Sequence, residues 1–536
     1  MNMAMSETNS KPMIPGGNLA ASIGRNTLFG VVARVAQVAT RLVTVPIVIV
    51  HLGLGGYGIW SIIMTTAAYM RFGSLGVKSA FQKYVAEATG NGDFETANKL
   101  LSTGCAIMLL VSLAGLTPIA FFARDLATLA GVPAEFLRSS AHAITMLAFI
   151  MVIANVGAVY EAIVMGGHRV DLARNFSTFF TVAEAVAIII LLHFGAGLFA
   201  MASVMAASEM GFIASCYIAS KKILPQIRLS LDHVTKSVVR ELVRFGGSYQ
   251  LVNVLEVLYL SIVPVTVLRM FGADAAGIYA LTTRLVGSAL MLPDALLLPI
   301  LSGAAMVFAS GSAAQMRMLI TKSFKVTLVL GLFPLAFIAI FGPMIVFAWT
   351  GEVASSLRVA FWLVCAVGLF QSFSLLGLVL YRASGRALLD NIRQAIRIVI
   401  LVCIAIAAHR LGFYGILAGL AFAEFTGMLF MLFALEKAFE AFRVRLLLPD
   451  TLRLTAAIVV ILSAAGVALL LPIPAVSNPR LAATLQLAKV SLACLVAAWP
   501  ALALTKSLTG TEGRALVRAF LPGRGRPEPR PVETVS

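Results

Sequence analysis

The chain has 536 residues, 60% of them hydrophobic and only 12% charged, with a formal net charge of +17. A soluble domain carries about 25% charged residues, so a water-facing globular surface is excluded and much of the apolar side-chain area must meet lipid. Stretches free of Asp, Glu, Lys and Arg cover 101–123, 185–208, 326–351, 359–381 and 454–479, each long enough for the ~20 residues a helix needs to cross the hydrocarbon core.

Their unbroken apolar character argues against a spanning β-barrel, whose strands alternate in polarity over about 10 residues. The expected fold is all-α and integral to the membrane, with about fourteen transmembrane helices. Residues 1–24 are polar, show no cleavable signal peptide and are expected to be cytoplasmic. Six spans follow at 26–50, 57–80, 98–122, 140–165, 173–194 and 197–219, within a first six-helix lobe over 25–220. A basic linker over 221–244 leads to a second lobe over 245–440, with spans at 246–269, 277–303, 319–343, 357–381, 391–408 and 413–435. Helices thirteen and fourteen, 453–472 and 482–505, lie in 441–507; the Pro-, Gly- and Arg-rich tail 508–536 is expected to be disordered.

Lys and Arg crowd the loops of one side: Lys221, Lys222, Arg228, Lys236, Arg240 and Arg244, then Arg382, Arg386 and Arg393, then Arg443, Arg445 and Arg453. The other side holds Arg124, Arg138, Arg269, Arg358, Arg410 and Arg480. Short cytoplasmic loops are the basic ones, so both ends of the chain are expected in the cytoplasm. The net charge is then a membrane signature, and no nucleic-acid partner is expected. Cys105, Cys216, Cys365, Cys403 and Cys494 all fall in apolar segments without CxxC spacing, which predicts core packing and neither disulfides nor a metal site.

Leu52-Gly-Leu-Gly-Gly-Tyr-Gly-Ile-Trp60 matches Phe271-Gly-Ala-Asp-Ala-Ala-Gly-Ile-Tyr279, and Ala86-Glu-Ala-Thr-Gly-Asn-Gly92 aligns with Ala305-Met-Val-Phe-Ala-Ser-Gly311 without a gap. Helices one to six and seven to twelve would then be parallel repeats about an axis along the membrane normal, enclosing a central cavity. Pro46 and Pro264 fall at nearly equivalent positions of the two copies, which fits matched bends or ordinary kinked packing.

These residues, with the Arg-bearing first helix, Gly76…Ala80, Gly92-Asp93, Pro293 and Trp349-Thr350-Gly351, resemble the multidrug/oligosaccharidyl-lipid/polysaccharide exporter superfamily, especially its polysaccharide flippases. The resemblance covers residues 24–440. It implies flipping of an undecaprenyl-diphosphate-linked oligosaccharide across the bacterial inner membrane, with membrane lipids, a polysaccharide polymerase and glycosyltransferases as partners. It also implies that helices one, two, seven and eight line the cavity.

Ionisable residues inside spans are costly and therefore candidates for function. Arg34, Arg41, Arg71 and Arg284 fall on helices one, two and eight and would hold a diphosphate, since guanidinium stays charged and forks onto phosphate oxygens; the alternative is snorkelling to the cytoplasmic interface. Glu256, Asp294, Glu161 and Glu424 are candidates for ion coupling or for pairing with arginine. Glu184 and Glu209 are expected to face neighbouring helices. No Walker A motif, metal-ligand spacing or large soluble loop is present, so neither an enzyme nor a cofactor is expected. Two further readings stay open: a cation-coupled multidrug antiporter, which a cationic cavity disfavours, and a membrane scaffold for envelope assembly.

Overall fold

The computed structural model describes the backbone of residues 19–72, 91–294, 313–351, 357–383, 388–438, 443–472 and 476–505, with a break at 168 and scattered positions between 81 and 307; side chains at 19–39, 41, 68–72, 240–254 and some single positions lie outside this description. The regular elements described are all helical. They are α1 (Leu19–Phe72), α2 (Phe94–Phe121), α3 (Ala123–Leu129), α4 (Ala134–Gly166), α5 (Val170–His193), α6 (Leu198–Ile223), α7 (Lys236–Asp294), α8 (Ala313–Thr350), α9 (Leu357–Ala383), α10 (Leu388–Ile406), α11 (Ala408–Ala438), α12 (Leu448–Leu470) and α13 (Pro479–Leu504), with two short 3₁₀ turns. Helices are the open-chain solution in lipid, because each satisfies its own backbone hydrogen bonds.

Eleven of these segments are long and apolar enough to cross a membrane, fewer than the fourteen expected. Two shortfalls have one cause. α1 runs through Gly53 (φ 72°) and α7 through Gly272 (φ 85°), so each joins two helical stretches without an intervening loop. Only glycine reaches such left-handed angles without steric cost. The third is α10, whose Asp390, Arg393 and Arg397 make it too polar by composition. Left-handed glycines also recur in pairs, Gly53–Gly272, Gly131–Gly351 and Gly195–Gly412, separated by 219, 220 and 217 positions.

The core is a continuous apolar cluster to which α1, α4, α7, α9 and α11 contribute most, with further residues from α2, α5, α6, α8 and α10. α12 and α13 pack on each other and on α8 through Phe341, Ile461 and Val490. Cys105, Cys216, Cys365 and Cys494 are buried as expected, whereas Cys403 on α10 is exposed. α10 turns its polar residues inward, which leaves an apolar face, Cys403 included, on the outside.

The segment after α6 does more than connect. Asn98 on α2 donates to Gln226 O (3.2 Å) and accepts from Arg228 N (2.9 Å), while Ser102 and Thr103 accept from Ser230 N and Thr235 N at 3.2 Å. One polar face of α2 thus replaces the hydrogen bonds that an extended strand lacks. Asn98→Ala removes both of its contacts at a site 9% exposed and is expected to cost about 1–3 kcal/mol. A thermal melt in detergent should show a lower Tm; an unchanged Tm would mean that water replaces the amide fully.

Candidate functional site: a central cavity and a buried charge cluster

A cavity of about 510 Å³ opens between α1, α7, α9 and α11. Ser61, Thr65 and Gly58 line it from the second stretch of α1, Tyr259, Pro264 and Arg284 from α7, and Gln371 from α9. Arg284 is the one charged side chain among the described lining residues, and it is exposed to the open space. It stands 219 positions after Thr65, the spacing of the Gly53–Gly272 pair. At this spacing a hydroxyl at Thr65 corresponds to a guanidinium at Arg284.

One end of the cavity is shut by backbone. A Cβ on Gly58 would lie 2.4 Å from Gly277 N, and a Cβ on Gly277 would lie 2.3 Å from Leu54 O. The two glycines let α1 and α7 touch main chain to main chain, the device that small residues provide between membrane helices. Nearby, Pro46 has no N–H to offer Leu42 O; the Trp349 indole donates to that carbonyl at 2.6 Å, and Arg480 donates to Trp349 O at 2.7 Å.

Beside the cavity lies a buried polar cluster. Asp390, Arg393, Gln394 and Arg397 follow one another at i, i+3, i+4 and i+7, so they share one face of α10, and all four are buried. Arg393 donates to Asp390 Oδ1 through Nε (2.9 Å) and Nη2 (2.8 Å). The Arg397 guanidinium donates to Glu424 of α11 and to Gln394, and it stacks 3.7 Å from the ring centroid of Tyr259. The Tyr259 hydroxyl also donates to Glu424, and Gln394 donates to Glu256 of α7. Arg397 Nε and Glu424 Oε2 are buried without a partner among the described residues. Tyr259 belongs to both sets: it lines the cavity and holds the cluster.

The structure thus brings Glu256 and Glu424 together, but around Arg397, a residue that sequence reasoning passed over. Arg393, counted there as a loop charge, is inside α10 and paired. Asp294 is exposed near the end of α7 and Glu161 half-buried in α4; neither lines the cavity. The Arg34, Arg41 and Arg71 side chains lie outside the described residues, although their backbones are helical in α1. The polar stripe of α10 was the available signal: four polar residues at helical spacing in an apolar segment must face protein rather than lipid.

Apolar helices surround an internal cavity, and the fold is that of transporters of the MOP superfamily. The chain resembles an inward-facing multidrug resistance MATE family transporter (14% identity, TM-score 0.62, covering 80% of this chain and 97% of that one). It also resembles the lipid II flippase MurJ in an inward closed conformation (15% identity, TM-score 0.60, 88% and 98% covered). A third likeness is to a MOP superfamily transporter from Pyrococcus furiosus (14% identity, TM-score 0.52, 79% and 95% covered). No curated protein sequence matches the chain. The profile of the polysaccharide biosynthesis protein family matches residues 23–310, more than half of the chain, and the chain belongs to that family.

Proposed function

We propose that this protein flips an undecaprenyl-diphosphate-linked oligosaccharide, such as an O-antigen or exopolysaccharide repeat unit, across the bacterial inner membrane by alternating access. The sign of the cavity carries the reading: its described charge is Arg284, a bidentate phosphate ligand. Family membership supports a glycan cargo, and the likeness to MurJ, a lipid II flippase, supports a lipid-linked one. Arg34, Arg41 and Arg71 complete the proposed diphosphate site. Polymerase and glycosyltransferases of the same pathway are the proposed partners.

Fourteen spans divided six, six and two, with both ends in the cytoplasm, frame this mechanism. The paired left-handed glycines support the two lobes, and the basic loops support the orientation. With the Gly58–Gly277 end closed, the cavity opens to the cytoplasm, the lobes rock, and the lipid tail stays in the bilayer.

The cluster on α10 is the proposed coupling element. Among the described residues three carboxylates, Asp390, Glu256 and Glu424, face two arginines, Arg393 and Arg397, a surplus of one negative charge that a proton or a monovalent cation would balance. Glu256, held among the described residues by Gln394, is the carboxylate to carry it. Glu256→Gln is expected to keep cargo binding but abolish the response of flipping to an imposed ion gradient. An unchanged response would remove Glu256 from coupling.

The drug-antiporter reading needs an acidic cavity, whereas Glu256 is turned to Gln394 and is not among the lining residues. Purified protein in liposomes decides between the readings. Translocation of a labelled polyprenyl-diphosphate sugar is expected, with no uptake of a cationic dye; the reverse result would favour the antiporter, and movement of neither would favour a scaffold.

A further inference from the structure

A second groove, of about 680 Å³, lies away from the central cavity between α5 and α6. Its walls are apolar: Leu172 and Phe176 come from α5, and Ile218 and Ala219 from α6. These residues fall inside membrane-spanning segments, and Ile218 is 56% exposed, so the trough faces the bilayer. Its mouth is cationic. Arg169, just before α5, and Lys222, in the last turn of α6, both line it.

Asp171 accepts from Arg169 Nε (3.1 Å) and Nη2 (3.4 Å), which leaves three of the five guanidinium protons for another acceptor. Lys221 and Arg174 are exposed on the same helix ends, so four cations stand against one carboxylate. An apolar trough inside the hydrocarbon region with a basic mouth at helix-end depth is the complement of an anionic amphiphile. A free phosphate would leave the trough empty, and a zwitterionic headgroup would carry an ammonium towards Arg169 and Lys222.

We propose that the α5–α6 groove is a binding site for an anionic phospholipid, its acyl chain along Leu172, Phe176 and Ile218 and its phosphate between Arg169 and Lys222. Basic pockets between spanning helices are a recurrent solution for acidic lipid headgroups. The site is separate from the cavity of Arg284 and is filled whatever cargo that cavity takes.

The test uses the full chain in vesicles with tryptophan at the groove, Phe176→Trp, corrected for the emission of the four native tryptophans. Brominated phosphatidylglycerol is expected to quench the added emission several-fold more than brominated phosphatidylcholine. The preference should vanish in an Arg169→Gln/Lys222→Gln background. Equal quenching by the two lipids would overturn the proposal, as would a preference that survives the double substitution. So would quenching relieved only by a polyprenyl diphosphate, which would make the groove a station for cargo. Native mass spectrometry of protein without the tryptophan substitution reads the same site independently: phosphatidylglycerol retained by the native chain and lost from Arg169→Gln/Lys222→Gln is the expected result, and equal retention overturns it.

Discussion

Arg397→Ala is expected to destabilise the protein by about 3–5 kcal/mol, the cost of leaving a buried ion-pair partner alone. Arg397 and Glu424 are 3% and 1% exposed, so neither charge can turn to water when the other is removed. Alanine would strand the Glu424 carboxylate with only the Tyr259 hydroxyl, take the donor from Gln394, and leave a void where the guanidinium stacks on the Tyr259 ring. Because α7, α10 and α11 all meet at this side chain, the loss should spread through the second half of the chain. Removing both charges is a different matter. Arg397→Met with Glu424→Gln keeps volume and a hydrogen-bond acceptor for Tyr259, and replacement of a whole buried pair by neutral groups is often close to neutral. The melting temperature in detergent should therefore fall sharply for Arg397→Ala and recover much of the way in the double variant. A double variant as unstable as the single one would show that packing, not charge pairing, fixes the cluster.

The second large effect is expected at Gly58. Its Cα faces Gly277 N and Ala273 O so closely that a Cβ would come within 2.4 and 2.7 Å of them, and the approach is mutual at Gly277. Those neighbours are backbone atoms and cannot rotate away. Gly58→Leu must part α1 from α7, opening the closed end of the cavity and reducing flipping more than tenfold, about 1.4 kcal/mol or more in the balance of the two states. A cysteine placed at Ala276, which lines the cavity, should become reactive to a membrane-impermeant thiol reagent added on the side of Gly53 and Gly272. Gly53→Ala is the control. No described atom lies within 4 Å of a Cβ built there, so it meets only the strain of φ 72°, ψ 171°, about 1–3 kcal/mol, and should lower stability and leave the cysteine protected. Equal labelling of Ala276→Cys with and without Gly58→Leu would mean that the helices part elsewhere.

The helical membrane class was legible because lipid demands long apolar runs, and the matching glycines at 53 and 272 were legible because both take the chain through positive φ. Counting spans was harder. Gly53 and Gly272 turn the chain so tightly that α1 and α7 continue through them, and α10 looks half-polar by composition. The site was legible in part. Arg284 could be placed in a helix, but the side it faces depends on how α1, α7, α9 and α11 surround the cavity. Glu256 and Glu424 were visible as charges in apolar segments, but their partner was not: Arg393 and Arg397 lie near the start of α10, where a basic residue reads equally as a loop anchor. Three-dimensional contact across 138 and 27 positions, from Glu256 to Gln394 and from Arg397 to Glu424, carries no local sequence pattern.

The most direct measurement is the flipping rate of a labelled polyprenyl-diphosphate oligosaccharide in proteoliposomes across a charge series at Arg284. Arg284→Lys should retain a reduced rate, since a point charge replaces the fork. Arg284→Ala should lose about tenfold or more, the worth of a charged hydrogen-bonded contact, and Arg284→Glu should fall to the level of empty liposomes. A rate in Arg284→Glu equal to that of the native protein would contradict an anionic cargo held in this cavity.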